Sequence, residues 1–149
     1  PNLDIETEDL EALLQDDLQR TVLFDDTIPA LTELKEQGWK LVLLSNLATP
    51  YKSPVETLGL TSFFTHCYFS CDEGLIKPHA ELYERVIAQF APDDPQHGLM
   101  VGDSLKADYR GGANAGMQSI LIDRKNASNV ERKVATLTEI PTLFPRKNH

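Results

Sequence analysis

Two carboxylates five residues apart, Asp103 and Asp108 in MVGDSLKADYRGGANAGM (100–117), are the residues whose spacing first suggests chemistry. The apolar run 99–101 stops at Gly102 and a small-residue helix pattern follows, so Asp103 falls where a buried strand gives way to a helix. In open parallel α/β sheets ligands collect outside the carboxyl ends of the strands, and Asp108 can turn back toward the same point. Two hard oxygen donors there suit Mg²⁺, which takes few protein carboxylates and keeps several waters. A plainer role for Asp103 is to cap the following helix.

Three more polar residues stand at similar places. The run WKLVLL (39–44) reads as a strand buried on both faces, ending at Ser45 and Asn46, a pair that ordinary turn chemistry also explains. Lys77, stiffened by Pro78, lies in a loop that feeds a helix over 80–90, with Leu82, Val86, Ile87 and Phe90 on its inner side. A metal at Asp103 and Asp108 would offset phosphate charge, and the Lys77 ammonium would neutralise more of it. The Ser45 hydroxyl with nearby backbone N–H groups would hydrogen-bond a transferring phosphoryl oxygen. What this set lacks is a nucleophile.

The elements that must position these residues follow from periodicity. Ile28, Leu31 and Leu34 line one helical face, and Gly38 stops that helix. SPVE (53–56) has the form of a capping box with Pro at the first helical position, and Gly59 is a C-terminal stop. Strands are expected at 66–69 and at 119–122, the latter ending on Asp123. An exposed loop is expected over 124–133 and a short closing helix over 137–144. Alternating strands and helices indicate an α/β fold, a doubly wound parallel sheet with right-handed crossovers. Before them, residues 1–20 carry seven Asp or Glu against Arg20 alone, with Leu10, Leu13, Leu14 and Leu18 at helical spacing. That pattern predicts an acidic amphipathic helix.

At 149 residues, 41% hydrophobic and 25% charged, the chain has the composition of one globular domain. Its formal net charge of -9 argues against a nonspecific nucleic-acid or anionic-membrane binder, since the long-range field would repel both. No apolar stretch has the length of a signal peptide or a membrane span, so a cytoplasmic protein with Cys67 and Cys71 as reduced thiols is expected. His66 beside these two thiols falls short of a closed four-ligand zinc site.

LLSN (43–46), LIKP (75–78) and VGDSLKADYRGGANAGM (101–117), in this order and spacing, resemble motifs two, three and four of the haloacid dehalogenase-like hydrolases, over about residues 20–145. The resemblance implies a Rossmann-like domain in which Ser45 and Asn46 bind the substrate phosphoryl group, Lys77 steadies nucleophile and phosphate, and Asp103 with Asp108 handles Mg²⁺. Asp103 stands where metal-free dehalogenating relatives carry Ser, so the implied reaction is hydrolysis of a small phosphorylated substrate through an aspartyl-phosphate. His79 replaces the Asp many relatives carry after Lys-Pro, which weakens the cap of the next helix.

The first motif, a strand ending in Asp-x-Asp that provides the attacking carboxylate, has no good match. LFDDT (23–27) offers Asp25 with Thr27, but only 20 residues separate Asp25 from Ser45, too few for the flap and cap of relatives. Residues 1–20 then read as the tail of a helical cap and 21–149 as a partial core. The absent strand is central in the family, so a vacancy is expected between the strands ending at Ser45 and at Gly102. An unseen N-terminal segment, a neighbouring chain or residues 21–24 would fill it. The alternative is a noncatalytic module that binds a phosphorylated ligand or a protein partner. A phosphoacceptor receiver domain is rejected, because its lysine follows the acidic pair whereas Lys77 precedes it.

Overall fold

The computed structural model describes residues 7–145. Helix α1 (Thr7–Arg20) is followed by α2 (Thr27–Glu36), strand β1 (Val42–Ser45), α3 (Ser53–Thr57), β2 (His66–Phe69), α4 (Ser70–Glu73) and α5 (Ala80–Phe90). Then come β3 (Leu99–Gly102), a π turn (Leu105–Arg110), α6 (Gly111–Asn114), β4 (Gln118–Ile122), β5 (Lys133–Val134) and α7 (Glu139–Leu143). This is the α/β alternation expected, and the strands at 66–69 and the helix at 80–90 fall on the expected residues.

All strand pairs are parallel, but they form two sheets rather than one. β1 pairs with β2, Ser45 opposite Phe69; β3 pairs with β4, Gly102 opposite Leu121; and β4 pairs with β5. No ladder joins β1 to β3 among the described residues, which leaves an open lane between the strands ending at Ser45 and Gly102. Residues 21–24 do not fill it as a strand. They have no ladder partner among the described residues, and Val22 is 78% and Phe24 64% exposed.

The lane shows in the burial of the strands beside it. β4, paired on both edges, has Ser119, Ile120, Leu121 and Ile122 buried, and Ile120 and Ile122 form the main core with Val134 and Ile140. β1 is half-buried at every position, against the expectation of a strand covered on both faces. One edge of β1 has no partner among the described residues, so water reaches backbone and side chains that a neighbouring strand would cover. β1 also starts later than expected, at Val42.

Other departures have local causes. α1 turns Leu14 and Leu18 partly inward but leaves Leu10 and Leu13 exposed; residues 1–6 of the expected acidic helix lie outside the described residues. In α2 the most buried residue is Ala30, while Ile28 on the first turn is exposed. Position 53 makes no side-chain cap, because a 3-10 turn (Thr49–Lys52) already runs into α3. The loop after β4 is not wholly exposed: Asp123 folds it back by accepting hydrogen bonds from the Ala127 and Ser128 N–H groups (3.0 and 2.8 Å), and β5 begins at Lys133. α7 is tied to the entry of β1, where Gln37 Nε2 donates to the Pro141 carbonyl and Trp39 Nε1 to the Phe144 carbonyl.

Candidate active site

Four residues at or near the strand ends are joined along one rim. At the end of β1, Asn46 clasps the main chain of Lys77: the Lys77 N–H donates to Asn46 Oδ1 (2.8 Å) and Asn46 Nδ2 donates to the Lys77 carbonyl (3.0 Å). Lys77 Nζ then donates to Asp108 Oδ1 at 2.6 Å, an ion pair whose side chains are only 10% and 5% exposed. Asp108 Oδ2 accepts the Ser104 N–H at 2.9 Å. A polar chain of four residues, Asn46, Lys77, Asp108 and Ser104, therefore reaches from the end of β1 to the loop after β3, across the open lane. Ser45 and Asp103 each directly precede one end of it in sequence.

Each link has a local reason. Lys77 and Pro78 sit in a turn closed by the His79 N–H on the Ile76 carbonyl (2.8 Å), and His79 occupies the N-cap of α5 without a side-chain cap bond. After β3 the helix is capped by Ser104, whose Oγ accepts the Ala107 N–H (3.0 Å). Asp103 is thus relieved of capping: its carboxylate is exposed and accepts no hydrogen bond from the described residues. The π turn bulges so that Asp108 folds back over Gly102, and a Cβ at residue 102 would collide with the Asp108 carboxylate. Gly102 is required here by close approach.

Two residues that sequence reasoning passed over hold this rim. Tyr83 is fully buried in α5 and donates its hydroxyl proton to the Ala107 carbonyl inside the π turn; burial, with the nearby Asp108 charge, pushes its pKa up to about 12. Its signal was present, since 83, 86, 87 and 90 share one helical face. Arg124, just past the end of β4, forks onto both oxygens of Asp26 (2.8 and 2.9 Å) and stacks on the Phe24 ring at 4.0 Å. The Leu137 N–H adds a third bond to Asp26 (2.7 Å). Chiefly through Arg124, Asp26 is held below the ordinary carboxylate pKa, while Arg124, facing Asp26 and Asp103, is raised. The end-of-strand logic that flagged Ser45 applies equally to Arg124.

Ser45 opens onto an apolar groove of about 240 Å³ shared with Leu23, Leu43, Leu47, Tyr51 and Val55. Asp25 lies in the turn that starts α2, not at a strand end, and is exposed. Cys67 is half-buried, with its thiol pKa raised by burial, and Cys71 is exposed; both are free. No cluster of three or more His, Cys, Asp or Glu side chains suited to a metal occurs among the described residues, and none of their helices is long and apolar enough to cross a membrane. Of the two carboxylates expected to handle Mg²⁺, Asp108 has one oxygen on Lys77 and the other on the Ser104 N–H, which leaves Asp103 as the open donor. Asp103 presents free hard oxygens, and that ion keeps much of its water shell.

Comparison with known proteins bears on the family and the fold. The haloacid dehalogenase-like hydrolase family matches residues 3–116. The glyceraldehyde 3-phosphate phosphatase of Methanothermobacter thermautotrophicus is 31% identical over 129 residues, covering 83% of this chain and 57% of that protein. A phosphatase structure from Thermococcus onnurineus superposes with a TM-score of 0.82 at 26% identity, over 98% of this chain and 67% of that one. The putative hydrolase YfnB of Bacillus subtilis, solved bound to magnesium, has the same fold, with a TM-score of 0.79 at 24% identity over 89% of this chain and 60% of that one. The chain spans about half the length of the curated relatives it matches.

Proposed function

The chain belongs to the haloacid dehalogenase-like hydrolases, and from that premise we propose that it forms the phosphoryl-binding part of a phosphatase acting on a small phosphorylated substrate. The observation that carries this reading is the buried Lys77–Asp108 pair at the rim, with Ser45 next in sequence to Asn46, which holds the Lys77 main chain, and Asp103 next to Ser104, whose N–H holds Asp108. Ser45 donates its hydroxyl to a phosphoryl oxygen, and Lys77 supplies a fixed positive charge where negative charge accumulates during transfer. Asp108 holds that ammonium in place, and Asp103 is the carboxylate left free for a metal. Mg²⁺, when bound there, neutralises phosphate charge that Lys77 alone leaves uncompensated.

The attacking carboxylate is assigned to a strand in the open lane between β1 and β3, contributed by polypeptide outside these 149 residues or by a neighbouring chain. The two separate sheets support this. So does Asp25, whose place in a turn gives it no strand to aim it. Thr7–Arg20, with Leu10 and Leu13 exposed, is read as the tail of a cap and the rest as the core. The absence of a strand-end aspartate beside Ser45 among the described residues also favours a second reading, a module that binds a phosphorylated ligand without turning it over.

One assay series tests both. The chain alone is expected to bind inorganic phosphate with Mg²⁺ but not to hydrolyse 4-nitrophenyl phosphate. Supplying a polypeptide bearing a strand that ends in Asp-x-Asp is expected to start turnover, and EDTA to stop it. Turnover by the chain alone, or turnover that survives EDTA, overturns the assignment. Phosphate binding with no turnover under any complementation selects the binding module.

A further inference from the structure

Lys77 has an unusual main chain. It lies in the loop between α4 and α5, where no strand supports it, and no backbone group among the described residues hydrogen-bonds its N–H or its carbonyl. Both are instead satisfied by one side chain, Asn46, 31 residues earlier and at the end of a different element. Both bonds lie at the solvent-exposed surface of the rim, where a carboxamide is the side chain that offers an acceptor and a donor side by side as a peptide does. The pairing also locks the amide. Turning it over would set Oδ1 against a carbonyl and Nδ2 against an N–H.

We propose that Asn46 is the positioning residue of this rim: it fixes the Lys77 main chain so that the ammonium meets Asp108 and a bound anion, rather than touching the anion itself. This rests on the reading of Ser45 and Lys77 as phosphoryl-binding residues. A lysine side chain has four rotatable carbons and loses much rotamer freedom when its head is fixed, so anchoring its Cα limits what binding must still order. The clasp also joins the sheet that carries Ser45 to the loop that carries Lys77, and through Asp108 to the second sheet. Ser70 Oγ, donating to the Leu47 carbonyl at 3.1 Å, holds the next residues of the same turn, so Asn46 projects from a braced backbone.

The test combines hydrogen exchange with a double-mutant cycle on the whole chain, using inorganic phosphate with Mg²⁺ as the probe. Asn46→Ala is expected to speed exchange of the Lys77 amide while β4 amides are unchanged. Asn46→Asp, which keeps the acceptor and loses the donor, is expected to preserve that protection. Phosphate affinity is expected to fall about fivefold in Asn46→Ala, the size of one neutral hydrogen bond, and to change less than about twofold when the same substitution is made in Lys77→Ala. An equal loss in both backgrounds means that Asn46 touches the anion, and overturns the proposal. Unchanged exchange at Lys77 overturns the clasp whatever phosphate does. Failure of the unaltered chain to bind phosphate overturns the phosphoryl reading and, with it, any role in presenting Lys77 to an anion, while the exchange result still reports the clasp.

Discussion

β4 and β1 are both short parallel strands, of five and four residues, yet they live in different surroundings. β4 is flanked by β3 and β5 and buries four consecutive side chains; among the described residues β1 has β2 on one side only and buries none fully. Their apolar sequences, SILI and VLLS, would not separate them. The difference lies in edge pairing: a covered edge excludes water from the backbone, and the side chains on either face then pack against complete layers. On the β1 side, part of that cover is replaced by polar fastening along the rim.

If that fastening couples the two sheets, its loss should be the largest single effect. Asp108→Ala leaves the Lys77 ammonium buried without its partner and is expected to cost about 3–5 kcal/mol. Urea unfolding followed separately at β1 and β4 amides should then split into two transitions; one shared transition would break the idea that the rim couples them. Core truncation sharpens the contrast itself. Ile120→Ala, at a residue 3% exposed, is expected to cost about 2–5 kcal/mol, and Leu43→Ala on the half-buried strand about 1 kcal/mol. Equal costs would mean that the exposure of β1 has no energetic counterpart.

Gly102→Ala drives a Cβ into Asp108 and is expected to cost about 1–3 kcal/mol through overpacking. Asp108 should rotate off Lys77, which the carboxyl carbon shift of Asp108 would report. A comparably small effect is expected for the pair outside both sheets' ladders. Asp26→Asn weakens a charge-assisted fork and is expected to cost about 1–2 kcal/mol. Asp26 titrates below its usual 3.8 when folded, so the stability it brings is complete above about pH 4 and fades as pH falls through the lowered value. The Asn variant should lose least stability, relative to the parent, at the acid end of that window.

Much of this was legible in order along the chain. The strand at 66–69, the helix at 80–90 and the strand beginning at 99 follow from apolar runs bounded by turn residues, because those signals are local. Ser45, Lys77, Asp103 and Asp108 stood out from strand ends and motif spacing, and of these the structure joins Lys77 to Asp108. Tyr83 and Arg124 were passed over because their partners, Ala107 and Asp26, are distant in sequence. The two-residue strand β5 was missed since it exists only by pairing with β4.

By itself, then, the order of residues determined the α/β alternation, the acidic N-terminal helix and which polar side chains stand at strand ends, since each depends on neighbours a few positions away. Only the tertiary structure decided that the strands part into two sheets and that Asn46 serves the Lys77 backbone. It also decided that Ser104 rather than Asp103 caps the helix after β3. These outcomes depend on which groups, remote along the chain, come close enough to satisfy one another's hydrogen bonds and charges.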